Sequence, residues 1–117
     1  NVLALTACAA VLTEGEAWRQ DLLVVLRANR DRVERAVAEM PGLAIGHVEA
    51  TYLAWIDVSG LQLENPIASF EAGGVGLSPG AQFGDGNFIR LNFGCSRELL
   101  TEAIRRMQRV ILARTND

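Results

Sequence analysis

The longest regular pattern in this sequence is helical and runs from Glu16 to Met40. Pro41 and Gly42 follow it, and they end a helix because proline cannot continue one and glycine turns freely. A helix with a single apolar stripe must bury that stripe against another layer, so the rest of the chain has to supply one. The side chains that recur at helical spacing are Trp18, Leu22, Val25, Leu26, Val33, Val37 and Met40.

A shorter helix is predicted before it, from Val2 to Thr13, with Gly15 where a helix ends. This segment is apolar almost all round, which is typical of a helix buried on every side. A chain of 117 residues offers little structure to bury it. We therefore expect residues 1–15 to be the end of a helix from a larger upstream domain, and residues 16–117 to form a small α/β domain.

The remaining pattern alternates short strands and helices. Strands are predicted at 43–47, at 51–58, before the Pro-Gly turn at 79–80 and at 87–93, with a short helix that begins at Asn65 and Pro66. Ser96 caps a final helix that runs to about Arg114. This order predicts an α/β fold, with a small mixed or antiparallel sheet and helices mainly on one face.

Composition excludes several classes of function. The net charge is −3 and no basic stretch is interleaved with aromatic residues, so nucleic acid is not an expected partner. The apolar start is too short to cross a bilayer and lacks a preceding basic segment, so no membrane association is expected. His47 is the only histidine and has no acidic or cysteine cluster at ligand spacing, so no metal site is expected.

The cysteines and the basic residues narrow the chemistry further. Cys8 and Cys95 form no redox motif, and two free thiols in a reducing cytoplasm is the first expectation, with a disulfide as the alternative. All 11 basic residues are arginine. A chain without lysine cannot form a lysine Schiff base, so it contains no residue for that kind of catalysis.

Arg90 is the main candidate for a binding residue. Alternation along the strand places Ile89, Leu91 and Phe93 on one face, which is the natural core, and leaves Arg90 on the other. An arginine on a rigid strand can bind a carboxylate with two parallel hydrogen bonds, which lysine cannot reproduce. The alternative is an ordinary exposed arginine whose stem covers apolar surface.

Three stretches resemble the C-terminal segment of pyridoxal-phosphate enzymes of fold type I, in the class I/II aminotransferase superfamily. They are "EATYLAWIDVSGL", "GVGLSPGAQFG" and "FIRLNFGCSRELLTEAIRRM", and they are most similar to the cystathionine β-lyase and C–S lyase branch. The resemblance implies that Arg90 binds the α-carboxylate of an amino-acid substrate. It also implies that the loop 78–84 approaches the active site. Phe83, Gly84 and Asn92 are further candidates for the substrate site.

The resemblance also implies what this chain lacks. Pyridoxal phosphate would be bound in the full-length enzyme by a large upstream domain, so this chain would hold no catalytic or cofactor-binding residue and would be inactive alone. The implied reaction is β-elimination of sulfur amino acids, or transamination, in a cytoplasmic homodimer. The alternatives are a freestanding amino-acid-binding regulatory module and a structural or dimerisation fragment.

Overall fold

The computed structural model describes residues 1–114, so the last three residues of the predicted domain 16–117 lie outside it. Within residues 1–114 there are four helices and four strands, with short 3₁₀ turns at Ser59–Leu61 and Gly80–Phe83. The elements are α1 (Val2–Glu14), α2 (Glu16–Ala38), β1 (Ala44–Ile45), β2 (Leu53–Asp57), α3 (Pro66–Ala72), β3 (Ser78–Pro79), β4 (Phe88–Asn92) and α4 (Arg97–Arg114).

The four strands form one sheet in the order β1-β2-β4-β3, and every pair is antiparallel. Arg90 occupies the middle of β4, where Trp55 of β2 lies opposite it on one side and Ser78 of β3 on the other. The predicted α/β class is confirmed, and the sheet that was expected to be mixed or antiparallel is antiparallel throughout the described residues.

The hydrophobic core lies between one face of this sheet and the helices. Ala54 and Ile56 of β2 are fully buried. Ile89 and Leu91 of β4 are nearly so, and alternation along that strand predicted their burial. They pack with apolar side chains from the second half of α2, from α3 and from α4. The main helical members of this core are Val33, Val37, Phe70, Leu100, Ile104, Met107 and Ile111.

The first half of α2 differs from the sequence-based prediction. Trp18 and Val25 were placed in the packing stripe, yet their side chains are 69% and 48% exposed. The buried residues of α2 begin only at Asn29. The molecule is elongated, with principal extents of 57 × 26 × 24 Å, and the start of α2 lies beyond the layer that covers its second half. The apolar stripe is therefore real, but Trp18 and Val25 at its start stay exposed among residues 1–114.

Candidate functional site

The sheet face opposite the core carries a cluster of three aromatic rings. Trp55 and Phe88 are stacked, with ring centroids 5.3 Å apart and planes inclined by 8°. Phe83, from the turn before β4, meets Trp55 edge-on at 6.0 Å. Offset-stacked and edge-to-face contacts are the preferred arrangements for aromatic pairs. We call Trp55, Phe83 and Phe88 the aromatic cluster; it forms a stiff apolar surface beside Arg90.

The side chain of Arg90 lies against this cluster. Its Cζ atom is 4.2 Å from the centroid of the Phe83 ring, which is a cation–π contact, and Nη2 donates to Ser78 Oγ at 3.3 Å. Arg90 is half-buried. None of the ion pairs among residues 1–114 includes it. The guanidinium is thus held in position by a ring and a hydroxyl, while its charge has no carboxylate partner in the described chain.

The loop 78–84 brings Phe83 to this position through its proline and glycines. Pro79, the last residue of β3, is extended, with φ −69° and ψ 131°, and the 3₁₀ turn Gly80–Phe83 follows it. A Cβ atom on Gly80 would overlap the carbonyl oxygens of Asp85 and Phe88, so only glycine fits there. Gly84 ends the turn with φ +102°, a conformation that favours glycine.

The predicted candidates do not all meet Arg90. Phe83 does, through its ring. Gly84 contributes the backbone bend directly after Phe83. Asn92 is exposed at the end of β4, and its side-chain oxygen accepts a hydrogen bond from the Gly94 N–H at 2.8 Å. The structure therefore gives Asn92 a local role in the turn after the strand, and its assignment to substrate remains a prediction.

Sequence reasoning named the loop 78–84 and Phe83, but it did not single out Ser78 or Trp55 as site residues. Trp55 stacks with Phe88 on the sheet face that carries Arg90. The position of Trp55 within β2 held a usable signal, because alternation places it on the face opposite the buried Ala54 and Ile56. No local signal pairs Ser78 with Arg90, since that contact depends on the register of β3 against β4.

Asn29 was also missed, and it fixes the chain just after the arginine strand. It is 2% exposed, and its Nδ2 donates to the carbonyl oxygens of Phe93 and Cys95 at 3.0 and 2.9 Å. A buried amide that satisfies two backbone carbonyls ties α2 to the end of β4. A polar residue within the apolar stripe of α2, between Leu26 and Val33, was the available signal.

Other reactive groups do not add a second site. Cys8 and Cys95 are both free thiols, and burial raises the pKa of the Cys95 thiol, which disfavours the thiolate needed of a nucleophile. Within residues 1–114 no three His, Cys, Asp or Glu side chains come together as a metal site would require. None of the helices over the same residues combines the length and the apolar character needed to cross a membrane.

Comparison with known proteins finds relatives and solved structures that are named as enzymes. A cystathionine β-lyase of Corynebacterium glutamicum is 37% identical over 114 residues, which cover 95% of this chain and 31% of that protein. The crystal structure of OvoB is 46% identical, with a TM-score of 0.91 over 94% of this chain and 29% of that one. A solved β-cystathionase from Corynebacterium diphtheriae, described as pyridoxal-phosphate-dependent, is 35% identical with a TM-score of 0.82, over 88% and 29%.

These similarities confirm the resemblance that the sequence predicted. The chain is similar to the C-terminal small domain of fold type I pyridoxal-phosphate enzymes of the class I/II aminotransferase superfamily. Within that superfamily it resembles the cystathionine β-lyase and C–S lyase branch. The chain spans less than a third of the length of the curated relative from Corynebacterium glutamicum. No protein-family profile matches it.

Proposed function

We propose that this chain is the small domain of a pyridoxal-phosphate-dependent enzyme and that Arg90 binds the α-carboxylate of its amino-acid substrate. One observation carries the proposal: the guanidinium is oriented by Phe83 and Ser78 but has no acidic partner among residues 1–114. A half-buried, preoriented cation without an anion is suited to an anionic ligand. The resemblance to the lyases supports an amino acid as that ligand.

The residues of this chain do not themselves fit pyridoxal phosphate. All 11 basic residues are arginine, so no lysine is present to link the cofactor covalently. The cofactor and the residues that act on it would belong to the part of the enzyme that this chain does not cover. The role proposed for this domain is therefore confined to holding the substrate in place.

The donors and the contacts of the Arg90 guanidinium suit it to binding a carboxylate. A guanidinium has five N–H donors in a planar fork, and one N–H here is directed to Ser78. The Phe83 ring covers one side of the guanidinium and limits its rotation, while the other N–H groups have no acceptor in the described residues. A hydrogen bond to a charged group contributes about 1.5–3 kcal/mol, so a bidentate pair orients a small amino acid firmly.

Replacing Arg90 in the full-length enzyme tests the assignment. We expect Arg90→Ala to lower kcat/KM for amino acids by roughly a hundredfold or more, since it removes a bidentate charged contact. Arg90→Lys should restore only part of the activity, because a point charge cannot form the fork. Absorbance of the bound cofactor should stay unchanged in both variants.

Arg109→Ala is the matched control, because Arg109 is an exposed arginine of α4. It should behave as the unaltered enzyme does. Equal kcat/KM in Arg90→Ala and Arg109→Ala would remove Arg90 from the substrate site.

The reaction that we favour is β-elimination from a sulfur amino acid. Relatives from Corynebacterium glutamicum and Bacillus subtilis carry the name cystathionine β-lyase, which supports a lyase. Solved aminotransferases share the fold, and transamination is the second candidate. The products distinguish the two reactions, because elimination releases a thiol, ammonia and pyruvate, whereas transamination returns a keto acid that retains the sulfur.

We also propose that residues 1–15 are the end of a helix from the larger domain and that the full-length enzyme is a cytoplasmic homodimer. The wholly exposed apolar surface of α1 supports the first part, since Leu3 and Leu12 are 84% and 80% exposed. Dimerisation and location rest on the resemblance alone. Light scattering of the full-length enzyme would test the dimer, and a monomeric mass would contradict it.

A further inference from the structure

Ser78 provides a second hydrogen-bond donor at the place where Arg90 offers its guanidinium. We propose that the Ser78 hydroxyl binds the same substrate carboxylate, by donating a hydrogen bond while it accepts one from Arg90. This inference rests on the proposed function and deepens it, because it describes a two-donor site for a carboxylate. Nothing in the sequence pattern alone connects the two residues.

The hydrogen-bond inventory of Ser78 supports this role. A serine hydroxyl has one proton to donate and two lone pairs to accept with. Ser78 Oγ accepts from Arg90 Nη2 at 3.3 Å, and its own proton has no acceptor among residues 1–114. A hydroxyl that accepts a hydrogen bond from a cation becomes a better donor, because hydrogen bonds in a chain polarise one another.

The backbone keeps Ser78 in this position. Ser78 lies directly opposite Arg90 in the antiparallel pairing of β3 with β4. Directly opposite residues of an antiparallel pair have side chains on one face of the sheet, within reach of each other. Pro79 then fixes the extended backbone, and Gly80 packs tightly against the carbonyls of Asp85 and Phe88. The hydroxyl is thus presented from a rigid element beside Arg90.

Two donors of this kind discriminate between ligands. A carboxylate offers two oxygen atoms and no donor, so it can accept from Arg90 and from Ser78 together. A carboxamide of the same shape offers one oxygen and an NH₂ group, which would face a donor and leave it unpaired. The site should therefore prefer a free amino acid to its amide, and Ser78 should contribute to that preference.

The test uses the full-length enzyme with Ser78→Ala and with the pair Ser78→Thr and Ser78→Val. Thr and Val have nearly the same shape, but only Thr carries a hydroxyl. Comparing these two variants therefore tests the hydroxyl even if the alanine variant fails to fold. The probe is propionate, a carboxylate without an amino group, measured as a competitive inhibitor. Ser69→Ala is the control, because the Ser69 hydroxyl donates to the carbonyl oxygen of Asn65, the residue that caps α3, and lies in that helix, away from Arg90 in the sequence and outside the sheet.

We expect Ser78→Ala and Ser78→Val to weaken propionate inhibition by about tenfold, the effect of losing one hydrogen bond to a charged group. Ser78→Thr and Ser69→Ala should stay within about twofold of the unaltered enzyme, by the same reasoning. KM for the amino acid should rise more than kcat falls, and the preference for acid over amide should shrink. A serine that only supported the fold would alter acid and amide equally.

The outcomes separate this inference from the proposed function. If Arg90→Ala abolishes propionate inhibition while Ser78→Val leaves it intact, Ser78 is not a ligand and the Arg90 assignment stands. Equal losses for acid and amide in Ser78→Val would likewise overturn the inference. If Arg90→Ala itself leaves propionate inhibition unchanged, the proposed function is wrong.

Discussion

The first and the last helix of this chain bury their surfaces in opposite ways. In α1, which is almost wholly apolar, none of the 13 residues is buried. In α4, which carries several charged residues, Leu100 and Met107 are each 1% exposed. Burial therefore follows from a face that meets a partner, and not from the average hydrophobicity of a helix.

Helix α2 contains both kinds of surface. Its first half extends α1 and leaves Trp18 exposed, while its second half packs Val33 and Val37 into the core. Asn29 lies at the boundary, where its side chain ties α2 to the carbonyl oxygens that follow β4. The molecule thus has two parts. One is packed around the sheet, and the other is an apolar arm, formed by α1 and the start of α2, whose apolar side chains are exposed among residues 1–114.

The largest expected effect is in α4. Leu100→Ala should destabilise the chain by about 2–5 kcal/mol, because it removes a buried side chain and leaves a cavity. Its neighbour Leu99 is 61% exposed, so Leu99→Ala is a control of the same residue type and should cost less than about 0.5 kcal/mol. Urea unfolding measures both. Equal costs would show that α4 does not pack as described.

Substitutions of Asn29 test the hydrogen bonds that join α2 to the end of β4, where the packed part of the molecule meets the apolar arm. Asn29→Ala leaves the carbonyls of Phe93 and Cys95 without their donor and should cost about 1–3 kcal/mol. Asn29→Asp should be at least as costly at neutral pH, because a carboxylate cannot donate to a carbonyl. Gln20→Ala removes an exposed amide from the same helix and serves as the control. Tolerance of Asn29→Asp in urea unfolding would contradict the anchoring role.

Substitutions in the apolar arm should affect the stability of this chain and of the full-length enzyme differently. Leu3→Gln and Leu12→Gln should change the stability of this chain by less than about 0.5 kcal/mol, since both side chains are exposed. In the full-length enzyme the same changes should destabilise measurably if a larger domain covers α1. Thermal unfolding of both proteins gives the comparison. Indifference in the longer protein would remove the proposed packing of residues 1–15.

The smallest effect concerns acid stability at the surface of α4. Hydrogen bonds from Arg105 and Arg106 hold the pKa of Glu102 at about 2, below its usual 4.5. A lowered carboxylate pKa stabilises the folded state above the unfolded-state value, and that contribution is lost as pH falls from 4.5 towards 2. In the Glu102→Gln variant the free energy of unfolding should therefore fall less steeply as pH decreases through that interval, which urea unfolding at several pH values would measure.

Glu71→Gln, an exposed change without an ion pair among residues 1–114, is the control for this titration. Its acid unfolding profile should follow that of the unaltered chain. The same profile in Glu102→Gln would show that the pairs of Glu102 with Arg105 and Arg106 contribute nothing measurable.

The local sequence pattern was enough to predict the types of the helices and strands and which side chains of β4 lie on the core face. Helical spacing and caps predicted α2, α3 and α4, and alternation predicted the buried Ile89 and Leu91 with Arg90 on the opposite face. These features depend on residues that are close in sequence, where backbone geometry alone relates them. The three stretches quoted above, in their order along the chain, were also enough to show the resemblance to the lyases.

Tertiary structure alone decided which part of the α2 stripe is buried and what surrounds Arg90. The α2 stripe looks continuous in sequence, but only the part that lies over the sheet packs, so Trp18 stays exposed and Val33 does not. Ser78 and Phe83 reach Arg90 because β3 pairs with β4 in one register and Gly80 lets the loop fold back. Such contacts join segments that no periodicity relates, and they exist only once the sheet has formed.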